Sequence, residues 1–228
     1  SQAFIEMARA SGLALIRPSK RKTIETSTFG TGELIQDALQ KGAKEIFLFV
    51  GGSATTDGGI GMAAALGFQF LDQDGNVLLP IGRNLRSIHQ IISPTTTFEA
   101  KFTVICDVEN PLLGKNGAVA VYAPQKGVSP QESIELEKGL THISDLAEKQ
   151  GLGSFAFVSG AGAAGGLAWG AMTFLSASIK TGTVVILTLT NFKKHLQKAD
   201  IVLTGEGKMD QQTMQGKLIH GVAAMASM

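Results

Sequence analysis

The chain has one cysteine, Cys106, in 228 residues. That excludes an internal disulfide framework and a cysteine-built metal cluster. Charge is sparse and balanced, 20 Lys and Arg against 19 Asp and Glu, for a net of +1. Without a basic cluster or a set of stacking aromatics, no nucleic-acid surface is expected. The longest basic run, Lys20-Arg21-Lys22, reads as a solvated loop. No apolar run reaches the roughly 18 residues that suggest a membrane helix, and no cleavable leader is visible, so the expected location is the cytoplasm. The four histidines, His89, His142, His195 and His220, share no His-x-x-x-His spacing, which argues against zinc. A Walker A run is missing too: Leu113-Gly114-Lys115-Asn116 lacks the terminal hydroxyl, and protein-kinase signatures are absent.

Glycine, by contrast, is abundant, at 28 residues of 228, well above the usual share of about 7%. Such an excess implies many turns and several close backbone approaches. Helix-like, strand-like and glycine-turn segments alternate, which predicts an α/β fold. Residues 1–8 read as part of an amphipathic helix. A helix is expected from Gly30 to Lys41, a strand over 45–50, a helix over 59–66, and a hairpin around Asp74-Gly75. Phe102–Cys106 reads as a buried strand. Ser129-Pro130-Gln131-Glu132 is a capping box with proline at the first helical position, opening a helix with Leu136, Leu140, Ile143 and Ala147 on one face. Phe155–Val158 and Asp200–Leu203 read as short strands, and Val184–Leu189 as either strand or helix. The ends, inside Ser1–Ala8 and Leu218–Met228, suggest a fragment of a longer protein.

The most informative stretch is Gly51-Gly52-Ser53-Ala54-Thr55-Thr56-Asp57-Gly58-Gly59, between a predicted strand and a predicted helix. That arrangement aims backbone N–H groups at an anion, and glycine lets the backbone approach it closely. A tight strand–helix connection with solvated hydroxyls is the plainer reading. Asp57, Asp107 and Glu206 share one design, an apolar strand running into a polar or glycine-rich turn with a carboxylate. In open α/β sheets ligands sit outside the carboxyl ends of the strands, so three such turns could share one crevice. Phosphoryl transfer needs donors that cradle phosphate, carboxylates for Mg²⁺, a base for the hydroxyl and a cation on the transferred group. Lys208 and Lys217 are candidate cations, and Asp210 is a further acid.

Gly160-Ala161-Gly162-Ala163-Ala164-Gly165 matches G-x-G-x-x-G, but Thr181–Thr190 holds no acid for a ribose. A dinucleotide site is therefore weaker here than close helix packing or an anion-binding turn. Trp169, in a small-residue segment, reads as core.

Taken in order, Gly51–Gly59, Cys106-Asp107-Val108-Glu109-Asn110-Pro111-Leu112, Ala123-Pro124-Gln125-Lys126-Gly127, Gly160–Gly166 and Thr204-Gly205-Glu206-Gly207-Lys208-Met209-Asp210 resemble the motifs of bacterial glycerate kinases. Thr26–Ile35 resembles that family's upstream motif, and the likeness covers essentially the whole chain. The resemblance implies two α/β domains, a flavodoxin-like one built from both ends of the chain and a middle one likened to restriction enzymes. Residues 1–52 and 156–228 would belong to the first and 53–155 to the second. The family's opening strand with its Asp-Ser-Phe-Lys-Gly turn is missing, as is its closing segment, so the split domain would be only partly present.

The resemblance further implies transfer of the ATP γ-phosphate to D-glycerate with Mg²⁺, 2-phosphoglycerate being the favoured product. On that reading Asp107 orients or deprotonates the hydroxyl, with Asn110 beside it and Lys208 on the transferred group. Gly51, Gly52, Ser53, Thr55, Gly162 and Gly165 hold anionic oxygens, and Asp57, Glu206 and Asp210 hold the metal or its waters. The expected partners are glycerate and ATP, with no nucleic acid or membrane and with a homodimer as a further expectation. A non-catalytic nucleotide or sugar-acid module and an NAD-dependent oxidoreductase are the competing classes.

Overall fold

The structure, a computed structural model, describes residues 1–205 and 218–226. Three parallel strands carry the fold: β1 (Gln2–Glu6), β2 (Glu45–Phe49) and β5 (Lys101–Ile105), with β2 in the centre. β3 (Gln69–Leu71) and β4 (Gln90–Ile92) form a separate antiparallel pair, and β6 (Ser178–Lys180) lies beyond β5 in the main sheet. The helices are α1 (Ala8–Ser11), α2 (Phe29–Gln40), α3 (Ile60–Ala65), α4 (Ala118–Tyr122), α5 (Pro130–Lys149), α6 (Ala163–Leu175), α7 (Gly182–Leu189), α8 (Phe192–Leu196) and α9 (Leu218–Ala226). Internal contacts divide the chain into two units, residues 1–179 and 180–228.

Residues 2–6 are a strand and not the expected helix. Their partner is 43 residues away: Phe4 sits opposite Phe47, the two rings stacked with centroids 5.0 Å apart. Ladder bonds and a cross-strand aromatic pair override a local pattern too short to have a clear period. In β2, Ile46 and Leu48 are buried and alternate with half-buried neighbours, as pleating requires.

α2 and α3 cross where both carry glycine. A Cβ on Gly32 would lie 2.5 Å from the Met62 carbonyl oxygen, and one on Gly61 would lie 2.2 Å from Ser27 Oγ. Such backbone approach is open only to residues without a side chain. The capping box at Ser129 is formed in full, with Glu132 N–H donating to Ser129 Oγ and Ser129 N–H donating to Glu132 Oε2. The expected apolar face of α5 (Leu136, Leu140, Ile143, Ala147) is buried. Trp169 is core, edge-on to Phe174 at 5.7 Å.

The hairpin turn after β3 forms as expected. Asp72 Oδ1 accepts from the N–H groups of Asp74 and Asn76, and Leu71 bridges to Val77. Leu78 N–H also donates to the Phe70 carbonyl at 2.8 Å, and β4 adds an antiparallel ladder on β3. Residues 155–158 form a turn and not a strand, closed by the Val158 N–H on the Phe155 carbonyl.

In the second unit, residues 182–189 are a helix. Thr188 Oγ1 donates to the Val184 carbonyl and Thr190 Oγ1 to that of Ile186, so the β-branched residues are accommodated by bonds one turn back. α7 meets α9 at Gly221, where a Cβ would lie 2.3 Å from Thr183 Cγ2. Residues 200–205 hold no strand, and Leu203 is 93% exposed. A strand there would need a ladder partner, and apolar content alone does not supply one.

Candidate functional site

The loops that leave the carboxyl ends of the three parallel strands meet each other. After β1, Leu13 N–H donates to the Gly52 carbonyl and Ala54 N–H to that of Ser11. After β2 comes the glycine–threonine loop, residues 51–59. After β5 comes the segment 106–112, and because β2 and β5 are neighbours in register, the two loops start side by side. The 160–166 segment joins them. Gly162 N–H donates to the Asn110 carbonyl, and Gly58 N–H donates to that of Gly165.

Most of the glycine–threonine loop is inside the protein. Ser53, Thr55, Thr56 and Asp57 are buried, Asp57 completely. Asp57 Oδ2 accepts from Thr28 N–H (2.7 Å), Thr28 Oγ1 (2.8 Å) and Gly61 N–H (3.2 Å), and Oδ1 accepts from Gly59 N–H (3.1 Å). Burial pushes this carboxyl above its ordinary value, and the Thr28 and glycine donors pull the other way. Fully buried and bonded by these four donors, Asp57, one of the expected metal ligands, is a staple that ties α2, α3 and the loop together. Only the loop's entry, Gly51 and Gly52, faces solvent, and the space where a Gly51 Cβ would stand is open to 4 Å.

The other acid at a strand end has the opposite environment. Asp107 is exposed, between the buried Cys106 and exposed Val108. Cys106 Sγ donates to the Val108 carbonyl at 3.2 Å and turns the chain outward there, while burial raises the thiol's pKa. Asn110 is committed to the scaffold at every polar atom of its amide. Its Oδ1 accepts from Tyr122 Oη (2.5 Å), and its Nδ2 donates to the Asn116 carbonyl (2.8 Å). It therefore shapes the loop that carries Asp107.

Gly162 and Gly165, expected to hold anionic oxygens, are buried. A Cβ on Gly162 would stand 2.2 Å from the Pro111 carbonyl oxygen, and one on Gly165 would stand 2.0 Å from that of Thr55. Gly165 also has φ +67. Neighbouring backbone fills the space that these glycines leave beside their Cα atoms. A dinucleotide fingerprint needs a strand before it and a ribose acid after it. Residues 155–158 are a turn and the acid is absent, so both are missing.

Reading the sequence did not single out Lys126, which is 2% exposed. Its Nζ donates to the Thr55 carbonyl at 2.6 Å. Burial lowers its pKa from 10.5 to about 8, with the nearby Asp57 charge opposing the fall. Thr55 Oγ1 and Thr56 Oγ1 are buried with no hydrogen-bond partner among the described residues. Its position inside the Ala123–Gly127 motif was the available signal, but a lysine is seldom so buried. Thr28, which bonds Asp57 and accepts from Met62 N–H at 2.8 Å, was missed likewise.

Glu206, Lys208, Asp210 and Lys217 lie outside the described residues. Among the described residues no three His, Cys, Asp or Glu side chains are grouped to hold a metal ion, and no helix is long and apolar enough to cross a membrane. A groove of about 750 Å³ along β1, lined in part by Phe4, Leu34 and Ala38, includes none of the expected site residues.

Comparison with known proteins agrees with the likeness read from the motifs. The glycerate kinase of Halalkalibacterium halodurans is 44% identical over 98% of this chain, and that of Bacillus subtilis (strain 168) is 45% identical over 98%. The glycerate 2-kinase of Escherichia coli (strain K12) is 42% identical over 98%. The chain spans about 60% of the length of each of the first and third of these and 59% of the second. A crystal structure from Salmonella typhimurium LT2 assigned as glycerate kinase 2 superposes with a TM-score of 0.89 at 38% identity, covering 99% of this chain and 61% of that one. The family profile described as "Glycerate kinase family" matches residues 1–228, and the chain belongs to that family.

Proposed function

We propose that this chain is part of a kinase that transfers the γ-phosphoryl group of ATP to D-glycerate, at the 2-hydroxyl. The observation that carries the reading is the family match over all 228 residues. The name of the Escherichia coli relative, glycerate 2-kinase, favours the 2-position.

The geometry supports a division of labour. Asp107, exposed at the end of β5, is the base. Its carboxylate takes the hydroxyl proton as the glycerate oxygen attacks the γ-phosphorus. The bond from that phosphorus to the β–γ bridging oxygen breaks, and ADP leaves with the electron pair. The open Gly51-Gly52 entry and Ser53 receive anionic oxygens on backbone N–H groups. Lys208 neutralises the transferred group, and Glu206 and Asp210 are left as the acids for Mg²⁺, which would supply charge neutralisation on the ATP phosphates. Most of the rate then comes from positioning and electrostatics. Cytoplasmic location and a homodimer belong to the same proposal. The proposed domain boundaries near 52 and 155 would have to be drawn around a sheet that takes β2 from one side and β5 from the other.

Phosphorus NMR of a reaction holding D-glycerate, ATP and Mg²⁺, with protein expressed from the complete reading frame, tests this reading. A new phosphomonoester signal split by one carbon-bound proton is the expected result. Splitting by two protons would move the product to the 3-phosphate, and no new signal from folded protein would overturn the kinase reading.

A further inference from the structure

We infer that Lys126 is a positioning residue for the glycine–threonine loop, a buried cation that fixes the Thr55 peptide so that the loop is set to receive an oxyanion. The inference rests on the reading of that loop as an anion cradle.

Lys126 is held at both ends. Its backbone carbonyl accepts from Thr23 Oγ1 at 2.8 Å, and its N–H closes the Pro124–Lys126 turn on the Ala123 carbonyl at 3.0 Å. Its Nζ reaches across to the Thr55 carbonyl, 71 residues away in sequence. That carbonyl lies against Gly165, where even a methyl group would collide with it. Thr55 O is thus confined between an ammonium and a backbone.

A trans peptide is planar, with N–H and C=O on opposite sides. Anchoring the Thr55 carbonyl on Lys126 therefore turns the Thr56 N–H to the other side of the same peptide. One hydrogen bond on one face of the loop thus sets the direction of a buried N–H on the other, and with it the path of the chain from the open Gly51-Gly52 entry to Thr56. A neutral donor could satisfy one carbonyl without the cost of burying an ammonium. Asp57, whose oxygens are already occupied by four donors, does not need a lysine for its hydrogen bonds. What the ammonium adds, offset in part by the nearby Asp57 charge, is a positive charge behind a loop rich in backbone donors, which favours an anion at the open Gly51-Gly52 entry. The oxyanion could come from the nucleotide phosphates or from the glycerate carboxylate, and kinetics separates the two.

The test compares wild type, Lys126→Met and Lys126→Arg, each from the complete reading frame, with KM for ATP and for D-glycerate measured separately and ATP affinity read by calorimetry. Loss of one charge-assisted hydrogen bond predicts a KM increase of roughly ten- to a hundredfold in Lys126→Met for whichever substrate supplies the oxyanion, with the cooperative melt retained and partial recovery in Lys126→Arg. A rise for ATP assigns the phosphates, and a rise for glycerate assigns the carboxylate. Wild-type kinetics from folded Lys126→Met would overturn the inference. So would failure of both variants to fold, which would make the lysine purely structural. If wild type binds ATP but does not phosphorylate glycerate, the kinase reading fails while weaker ATP binding by Lys126→Met still supports the inference. Equal ATP affinity in all three proteins, with both KM values unchanged, would contradict it.

Discussion

The loops after β2 and β5 begin from the same sequence design, an apolar parallel strand running into a polar turn with one aspartate, and they end in opposite states. In the first, Asp57 is wholly buried and collects four hydrogen bonds. In the second, Asp107 stands exposed. The difference is made by what surrounds each turn. Around Asp57, the start of α2 and the start of α3 both aim N–H groups inward, and helix N-termini are natural partners for a carboxylate. Around Asp107 the chain is turned outward by Cys106 and held by Asn110, whose amide is committed to Tyr122 and Asn116. The acid that is best held is thus the one least able to react.

The largest effect should come from breaking the staple. Asp57→Ala leaves the Thr28, Gly59 and Gly61 donors buried without an acceptor and should cost about 3–5 kcal/mol of stability, read as a lower midpoint in urea unfolding. Next, Asp107→Asn should leave the unfolding midpoint unchanged and slow turnover on the order of a hundredfold or more, read in steady-state assays. If the two variants exchanged phenotypes, the comparison would be reversed. A smaller loss is expected from Gly165→Ala. Its methyl group would fall 2.0 Å from the Thr55 oxygen at a φ of +67, for a cost of roughly 1–3 kcal/mol. Here both stability and the KM for the bound anion should shift, because Gly165 and Lys126 grip the same carbonyl.

The gentlest test is a pH slope. The folded pKa of Lys126 is depressed to about 8 from 10.5, so between those values the unfolded chain binds more protons than the folded one. The contribution of Lys126 to stability therefore rises with pH across that window and is lost as pH falls through about 8. Wild type should gain stability relative to Lys126→Met as pH is raised, measured by paired urea unfolding. A gap that stays constant with pH would place the lysine in a more solvated setting.

Much of the frame was legible in the sequence because its signals are local. Ile46–Val50 is a continuous apolar run closed by Gly51 and Gly52, and Ser129–Glu132 is a capping box whose bonds lie within four residues. The pairing of Gln2–Glu6 depends on β2, 43 residues away, and Phe155–Val158 forms a turn with no strand partner among the described residues, so neither could be read from neighbours in the chain. The site was half legible for a similar reason. Position after a strand identified both aspartates, but the number of donors that converge on each is a property of the packed helices. Gly162 and Gly165 carry a binding-loop spacing, yet the carbonyls of Pro111 and Thr55 fill the space beside them. Lys126 was hidden by its own rarity, as composition makes a lysine a surface residue until a carbonyl 71 positions away claims it.

The most direct test is the rate of D-glycerate phosphorylation per folded molecule in Asp107→Asn beside wild type, both from the complete reading frame, with ATP and Mg²⁺ saturating. A folded variant at least about a hundredfold slower than wild type is the expected result. Equal rates would contradict the assignment of Asp107 and, with it, the division of labour between the two strand-end acids.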